Sequence, residues 1–228
     1  DRDGQMRTSA PDVYAVGDAV EVRHFVTGAK SHIALAGPAN KQGRIAADHI
    51  CGRRSAYTGA LGTSVLKLFD LTAASTGLNE KQARAAGVAY DKVVTYSASH
   101  ASYYPGARNM TVKTLFDPAS GRILGAQIVG FDGVDKRMDV LAAAIRAGLT
   151  AEQLTELDLA YAPPYGSAKD PVNMAGYVIE NVRAGLVEQH HWDAVAELSA
   201  DGSVILLDVR TPGEVRKQGP VSYTHLTL

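Results

Sequence analysis

The sequence predicts an α+β fold, in which strands and helices occupy separate stretches of the chain. Two observations support this prediction. Between residues 63 and 130, short segments rich in β-branched and apolar residues alternate with turn residues. Residues 134–149 and 171–183 then repeat apolar side chains at helical spacing. Runs of strands followed by helices are typical of the α+β class.

The first part of the chain predicts a strand, a loop and a helix. Residues 13–16 form an apolar run that ends at Gly17 and Asp18, which is typical of a buried strand that stops at a glycine turn. Residues 34–50 place apolar and small side chains at helical spacing, and Gly52 follows as a stop signal. This segment therefore resembles part of an α/β unit.

The middle of the chain predicts five strands and three helices. The predicted strands are residues 64–69, 71–75, 92–97, 110–116 and 123–129. The turn between the last two contains Asp, Pro, Ser and Gly, which favours an antiparallel hairpin. The predicted helices are residues 79–86, 134–149 and 171–183. Asn79 is a suitable N-cap for the first helix, and Pro171 suits the first turn of the third.

A new folding unit is predicted after residue 184. The GLVEQHH stretch interrupts the pattern, and a helix at residues 192–199 and a buried strand at 205–207 follow it. The predicted domain limits are residues 1–60, 61–184, 185–191, 192–220 and 221–228. The third of these segments is a linker.

Charge and composition argue against several classes of partner and site. The 23 Lys and Arg nearly balance the 24 Asp and Glu, so we expect neither nucleic acid nor a membrane as a partner. No apolar run approaches the ~20 residues that cross a bilayer, and a cytoplasmic location is expected. The single cysteine, Cys51, excludes an internal disulfide, and no metal site is predicted. Its position near a helix C-terminus disfavours the thiolate, so we interpret Cys51 as structural.

Both ends of the chain are expected to have been cut from a longer protein. The polar residues 1–12 lead directly into the first predicted strand, and the last ten residues end without a closing helix. Residues 221–228 resemble translated linker sequence, which leaves open whether they are native.

The TSAPDVYAVGDA stretch at residues 8–19 is the most specific motif. A strand that ends in Gly-Asp places a carboxylate at the edge of a sheet, beside a glycine that lets the backbone approach a ligand. Asp18 could accept a hydrogen bond from a ligand hydroxyl, or it could simply cap the next segment. The whole stretch resembles the second FAD motif of pyridine nucleotide–disulfide oxidoreductases. The resemblance implies that Asp18 binds a ribityl hydroxyl of FAD, with Gly17 and Ala19 beside the cofactor.

The segment at residues 32–44 resembles the helix that follows this motif in the same reductases. Small residues there, including Ala36, would permit close approach to the isoalloxazine ring. Close helix packing would use the same small residues. The resemblance makes residues 1–60 the end of an FAD-binding domain and residues 61–184 a dimerisation domain, so a homodimer is implied.

Two tyrosine motifs resemble the coenzyme A disulfide reductase branch of this family. They are ASYYPGA at residues 101–107 and AYAPPYGSAKDPVNMAG at residues 160–176. The resemblance implies that Tyr103 and Tyr161 reach the active site of the partner subunit, where a phenol can donate a proton to a leaving thiolate. The alternative is aromatic packing at a subunit interface, where Tyr is enriched.

Three cations are candidate contacts for the phosphates of coenzyme A. They are Lys136, Arg137 and Lys169. A ligand with several anionic groups needs cationic donors at the mouth of its channel. A solvated helix face explains the same residues equally well.

The VILLDVRTPGEV stretch at residues 204–215 resembles the first strand and turn of a rhodanese domain. Residues 192–220 would then be a truncated rhodanese α/β domain. The sulfur-carrying cysteine of such a domain would follow downstream of the present sequence. His190 and His191 are interpreted as linker residues.

The family resemblance implies a reductase that uses NADH or NADPH and FAD to reduce coenzyme A disulfide, coenzyme A persulfide or polysulfide. The redox cysteine and the nicotinamide site would lie upstream, so this stretch alone is expected to be inactive. An NADH oxidase or peroxidase of the same superfamily is the first alternative. A non-catalytic dimerisation or sulfur-carrier scaffold is the second.

Overall fold

The chain divides into two compact units, residues 1–187 and 188–228. The computed structural model describes residues 4–198, 203, 205, 207, 208 and 210–218. The break between the units falls within the stretch predicted as a linker. No helix in the described ranges is long and apolar enough to cross a membrane.

The first unit begins with a short helical turn, a small hairpin and a long helix. A 3-10 turn covers Gly17–Ala19, and strands β1 (Val22–Arg23) and β2 (Lys30–Ser31) pair antiparallel. Helix α1 covers Ala36–Ile50 and packs on the 3-10 turn. This confirms the predicted helix, which begins two residues later than expected.

The prediction of a buried strand at residues 13–16 is wrong. Among the described residues, Tyr14 forms one bridge, with Arg7, and Val13 and Val16 are exposed. A strand is buried only when neighbouring strands and helices cover both of its faces. The described part of the chain does not supply that cover.

A five-stranded antiparallel sheet forms the centre of the first unit. Its strands are β3 (Ser64–Leu68), β4 (Leu71–Gly77), β5 (Asp91–Ala98), β6 (Asn109–Phe116) and β7 (Ile123–Gly130). Their order across the sheet is β3-β4-β7-β6-β5, and every neighbouring pair is antiparallel. All five strands predicted for the middle of the chain are therefore present, with each end within two residues of its expected position.

Helices cover one face of this sheet. They are α3 (Val134–Ala147) and α5 (Pro171–Arg183). Helix α4 (Ala151–Thr155) packs on α5, and α2 (Glu80–Ala85) joins β4 to β5. The core lies between α3, α5 and the sheet, where Val112 and Ile128 pair in register and face Leu141. Alternate residues of β4, β5, β6 and β7 point to this core, as the period of two requires, whereas all of β3 is exposed.

The sheet register aligns one row of side chains on the opposite face. The successive register partners across the five strands are Tyr96, Thr111, Val129, Ala73 and Leu66. In this row, Tyr96 is 75% exposed and Leu66 is 62% exposed. An apolar, exposed sheet face of this kind marks a surface that meets another protein or another part of the same protein.

Helix ends follow the signals in the sequence, except at α4. Asn79 forms a capping box with Gln82 at the start of α2, and Asp170 accepts from the Val172 N–H at the start of α5. Helix α4 was not predicted, because five residues are too few to show a helical period. Its signal was the capping box of Thr150 and Gln153.

The second unit contains two short helical segments. A 3-10 helix covers Trp192–Glu197, where a helix was predicted, and α6 covers Pro212–Gln218. Asp208 and Arg210 form a bidentate ion pair just before α6, with 2.7 Å between Nη2 and Oδ2. The strand predicted at 205–207 was expected to be buried, but Ile205 is 79% exposed and Leu207 is 57% exposed. Leu206 and residues 221–228 lie outside the described residues.

Candidate functional site

The first candidate site is the 3-10 turn that contains Gly17, Asp18 and Ala19. Gly17 adopts φ +77°, a left-handed conformation that favours glycine. The carbonyl of Asp18 accepts from His32 Nε2 at 2.6 Å, which leaves its carboxylate exposed to solvent. Ala19 is exposed as well, and so is Ala36 at the first position of α1. The turn therefore presents one acidic acceptor and small neighbours to a ligand.

Gln42 holds this turn in place, and the sequence analysis did not identify that role. It lies on α1, is 1% exposed, and its Oε1 accepts from the Gly17 N–H at 2.7 Å. A buried amide that bonds a backbone N–H fixes the turn relative to the helix. The helical spacing to Ala46, which is also buried, was the signal that could have revealed it.

These residues fit a flavin. An exposed carboxylate beside a left-handed glycine can accept hydrogen bonds from ligand hydroxyls. The small side chains of Ala19 and Ala36 leave room for a flat ring to approach the backbone.

The second candidate site consists of two loops that carry tyrosines. The first, residues 99–108, connects β5 to β6 and contains Tyr103. The second, residues 156–170, connects α4 to α5 and contains Tyr161. We call them the Tyr103 loop and the Tyr161 loop. They touch through the Ala101 N–H, which donates to the Pro163 carbonyl at 3.3 Å.

The two predicted tyrosines are brought together. Their hydroxyl oxygens lie 3.3 Å apart, and the side chains are 75% exposed at Tyr103 and 48% exposed at Tyr161. The hydrogen bond from Tyr103 raises the pKa of Tyr161. Tyr161 therefore keeps its proton at neutral pH and can donate it to an incoming anion.

Buried polar residues shape the Tyr103 loop from below. His100 Nε2 donates to the Pro105 carbonyl at 3.3 Å, and its Nδ1 accepts from the Ser99 hydroxyl at 3.1 Å. The same hydroxyl accepts from the Arg108 N–H at 3.2 Å. These hydrogen bonds connect the two ends of the loop, so they restrict the backbone that carries Tyr103.

Arg137 does not occupy the position that a phosphate contact requires. It lies on α3, is 1% exposed, and its Nε and Nη2 atoms donate to the Asp170 carboxylate at 3.1 and 2.9 Å. Its Nη2 also donates to the Ser99 carbonyl at 3.0 Å. A guanidinium whose donors are committed inside the protein cannot also meet a ligand phosphate, so the expectation for Arg137 does not fit its position.

The two predicted lysines lie nearer to the surface. Lys136 is half-buried, and its Nζ donates to the Ala160 carbonyl at 3.4 Å, next to Tyr161. Lys169 is exposed in the Tyr161 loop, one residue before the cap of α5. Both ammonium groups therefore lie on the loop that carries Tyr161 or donate to it.

The sequence and the fold both match known proteins. Residues 63–171 match the family model described as pyridine nucleotide-disulphide oxidoreductase, dimerisation domain. Over 174 residues, the chain is 38% identical to a coenzyme A disulfide reductase of Staphylococcus haemolyticus. That match covers 76% of this chain and 39% of the relative.

Two solved structures resemble the whole chain. Reduced Bacillus anthracis CoADR-RHD shares 49% identity with a TM-score of 0.92, over 98% of this chain and 40% of that chain. The NAD-dependent persulfide reductase from A. fulgidus shares 41% identity with a TM-score of 0.90, over 99% of this chain and 40% of that chain.

The chain thus spans less than half of the length of each of these proteins. Family membership implies a flavin and a pyridine nucleotide as cofactors of the complete reductase. The predicted α+β architecture with an antiparallel sheet and covering helices is confirmed by the matching structures. The chain belongs to the pyridine nucleotide–disulphide oxidoreductases, and within them it is of the coenzyme A disulfide reductase type.

Proposed function

We propose that this chain is part of an FAD-dependent reductase that uses NADH or NADPH to reduce coenzyme A disulfide, coenzyme A persulfide or polysulfide. The pairing of the Tyr103 and Tyr161 hydroxyls, 3.3 Å apart on an exposed surface, is the observation that carries this proposal. The names of the matching relatives support the same chemistry.

The tyrosine pair has the chemistry needed at a leaving thiolate. When a disulfide of coenzyme A is cleaved, one sulfur leaves as a thiolate and takes a proton or a hydrogen bond. A phenol hydroxyl can supply either one, and a second phenol can support the first by donating to its oxygen. In this proposal Tyr103 and Tyr161 act on the active site of the partner subunit, where the redox cysteine of the complete protein would lie.

The 3-10 turn would hold the flavin. Asp18 would accept from a hydroxyl of the ribityl chain, while Gly17, Ala19 and Ala36 would allow close approach to the cofactor. Gln42 would keep the turn in the required shape through its bond to the Gly17 N–H. Bound FAD would supply the electrons that reach the substrate.

The exposed sheet face supports a homodimer. The row that includes Tyr96, Val129 and Leu66 is apolar and exposed in this chain, and it lies in the segment matched by the dimerisation-domain model. Burying such a face against a second copy would remove apolar surface from water. A dimer would also bring the tyrosine pair of one subunit to the partner.

Lys136 and Lys169 are proposed to contact phosphates of coenzyme A. Lys136 donates to the Ala160 carbonyl next to Tyr161, and Lys169 lies on the Tyr161 loop. Arg137 is left out of this set because it is buried and paired with Asp170. Residues 192–220 are proposed as the start of a rhodanese domain, and the Asp208–Arg210 ion pair before α6 is consistent with a structural role for that motif.

Replacing each tyrosine with Phe in the full-length enzyme tests the proposal. Tyr103→Phe and Tyr161→Phe should slow coenzyme A disulfide reduction by about 10²-fold, the usual contribution of a general acid, while NADH still reduces the flavin at the normal rate. Tyr165→Phe, in the same loop and 72% exposed, is the matched control and should keep full turnover. Unchanged turnover in both test variants would refute the tyrosine role.

A further inference from the structure

Arg137 joins both tyrosine loops to one helix. Its Nη2 donates to the carbonyl of Ser99, the first residue of the Tyr103 loop. Its Nε and Nη2 donate to the carboxylate of Asp170, the last residue of the Tyr161 loop. One side chain on α3 therefore contacts the start of one loop and the end of the other.

The surroundings of Arg137 are shaped for its guanidinium. Its Nη1 donates to the Gly133 carbonyl at 3.2 Å, and a Cβ at Gly133 would lie only 2.2 Å from that nitrogen. Asp170 Oδ1, which also lies 3.4 Å from Arg137 Nε, caps α5 by accepting from the Val172 N–H at 3.0 Å. The guanidinium thus has partners on three segments of the protein.

A buried ion pair is a weak source of stability, because removing two charges from water costs about as much as their attraction returns. Arg137 is 1% exposed and Asp170 is 4% exposed, so both charges bear that cost. The planar guanidinium of Arg137 donates hydrogen bonds to both loops at fixed angles. It can therefore define the distance between the loops, which apolar packing does not do.

The direct hydrogen bonds between the two loops are longer than those that Arg137 Nη2 donates to Ser99 and Asp170. In the part of the chain that the structure describes, Ala101 N–H to Pro163 O and the contact between the tyrosine hydroxyls join them, both at 3.3 Å. These distances lie at the long end of the hydrogen-bond range. The loops therefore depend on Arg137 for their relative position more than on each other.

We infer that Arg137 is a positioning residue, which sets the separation of the Tyr103 and Tyr161 hydroxyls by bonding Ser99 and Asp170. Its effect on turnover rests on the proposed function of the tyrosines, whereas its effect on the two loops does not. Arg137 is too deeply buried to touch a substrate.

The test uses the full-length holoenzyme with Arg137→Lys. This change keeps the positive charge but removes the planar guanidinium that donates to both loops. Misplacement of the hydroxyls should lower kcat for coenzyme A disulfide by about tenfold or more, with flavin reduction by NADH unchanged. The same change in a Tyr103→Phe, Tyr161→Phe background should cause no further loss, because the groups that it positions are gone. A further loss of equal size in that background would overturn the inference.

Hydrogen exchange tests the positioning without reference to activity. Arg137→Lys should speed exchange of the amides in residues 99–108 and 160–166. Arg183→Lys is the matched control, because Arg183 also bonds a carboxylate, that of Glu152, and a loop carbonyl, that of Ala119, but not the tyrosine loops. It should leave exchange in those two segments unchanged.

A second variant guards against loss of folding. Arg137→Met combined with Asp170→Asn removes both buried charges and retains an Asn cap for α5, so the fold should be tolerated. It should show the same loop exchange as Arg137→Lys. Unchanged exchange in both variants would overturn the inference whatever the tyrosines do. Faster exchange, with normal turnover in the two tyrosine variants, would leave the positioning in place and refute only the proposed function.

Discussion

The hydroxyl of Tyr103 lies 3.3 Å from that of Tyr161, although 58 positions of sequence separate the two residues. The sheet and its covering helices create this contact, because they place the β5–β6 loop beside the α4–α5 loop. Neither hydroxyl is buried, so the pair is available to a ligand or a partner subunit.

The first prediction concerns the ionisation of Tyr161. Replacing Tyr103 with Phe should lower the pKa of Tyr161 towards its ordinary value, because the hydrogen bond that favours the protonated form is lost. Titration by NMR with tyrosine labelled at 13Cζ would measure this, and Tyr161→Phe would assign the signal. Tyr165→Phe should leave the Tyr161 titration as it is. A Tyr161 pKa that does not fall in Tyr103→Phe would contradict the pairing.

The second prediction concerns FAD retention. Asp18→Ala in the full-length reductase should lose bound FAD, because the exposed carboxylate that would accept from the ribityl chain is removed. Flavin absorbance per subunit after gel filtration would measure the loss. Glu21→Ala removes a nearby surface carboxylate that pairs with Lys30, and it should retain FAD. A fully flavinylated Asp18→Ala protein would refute the assignment.

The third prediction concerns acid stability and Glu80. Burial raises the pKa of Glu80, but Lys113 and Lys92 outweigh that effect and lower it to about 2. The stabilisation is therefore present above pH 4.5 and is lost as the pH falls from about 4.5 to about 2. In Glu80→Gln, the free energy of unfolding should fall less steeply over this range.

Urea unfolding of the protein and its variants at several pH values between 7 and 3 would test the role of Glu80. Lys81→Gln changes one charge on the same helix without touching the carboxylate, so it should keep the steep fall. An equally steep fall in Glu80→Gln would show that other groups cause the acid sensitivity.

The fourth prediction concerns the space beside Arg137. Gly133→Ala combines a left-handed backbone, φ +66°, with a Cβ that would lie 2.2 Å from Arg137 Nη1. Gly87→Ala has a similar φ of +63° and no atom within 4 Å, so it carries the backbone strain alone. Gly133→Ala should therefore lower the free energy of unfolding by more than Gly87→Ala, which should cost about 1 kcal/mol. Equal losses in chemical denaturation would mean that the guanidinium moves away at no cost.

Much of the first unit could be predicted from the sequence, because its signals are local. The alternation of residues 110–116 and 123–129 identifies a hairpin, and Asp117 shows why its turn forms, since Oδ1 accepts from the Ala119 and Ser120 N–H groups. The amphipathic pattern of α3 similarly fixed its length to within two residues. The strand expected at residues 13–16 failed because its cover had to come from elsewhere in a sheet.

The candidate site was predictable only in part. Local motifs identified Tyr103 and Tyr161 individually. Arg137 was predicted at the surface because it is charged, although its helical position indicates the core face. It stands three residues after Val134 and four before Leu141, both buried, so the helical period placed it on the core face. Gln42 was missed for the same reason, as a polar residue on a buried face.

The sequence by itself determined the five strands of the sheet, the helices α1, α2, α3 and α5, the glycine turn and the two tyrosine motifs, because propensity, caps and turn chemistry act over a few residues. Only the tertiary structure decided that the two tyrosine hydroxyls meet and that Arg137 bonds both loops from inside the protein. Such contacts join segments that lie far apart in the chain, and they depend on how α3 and α5 pack against the sheet, which no local pattern encodes.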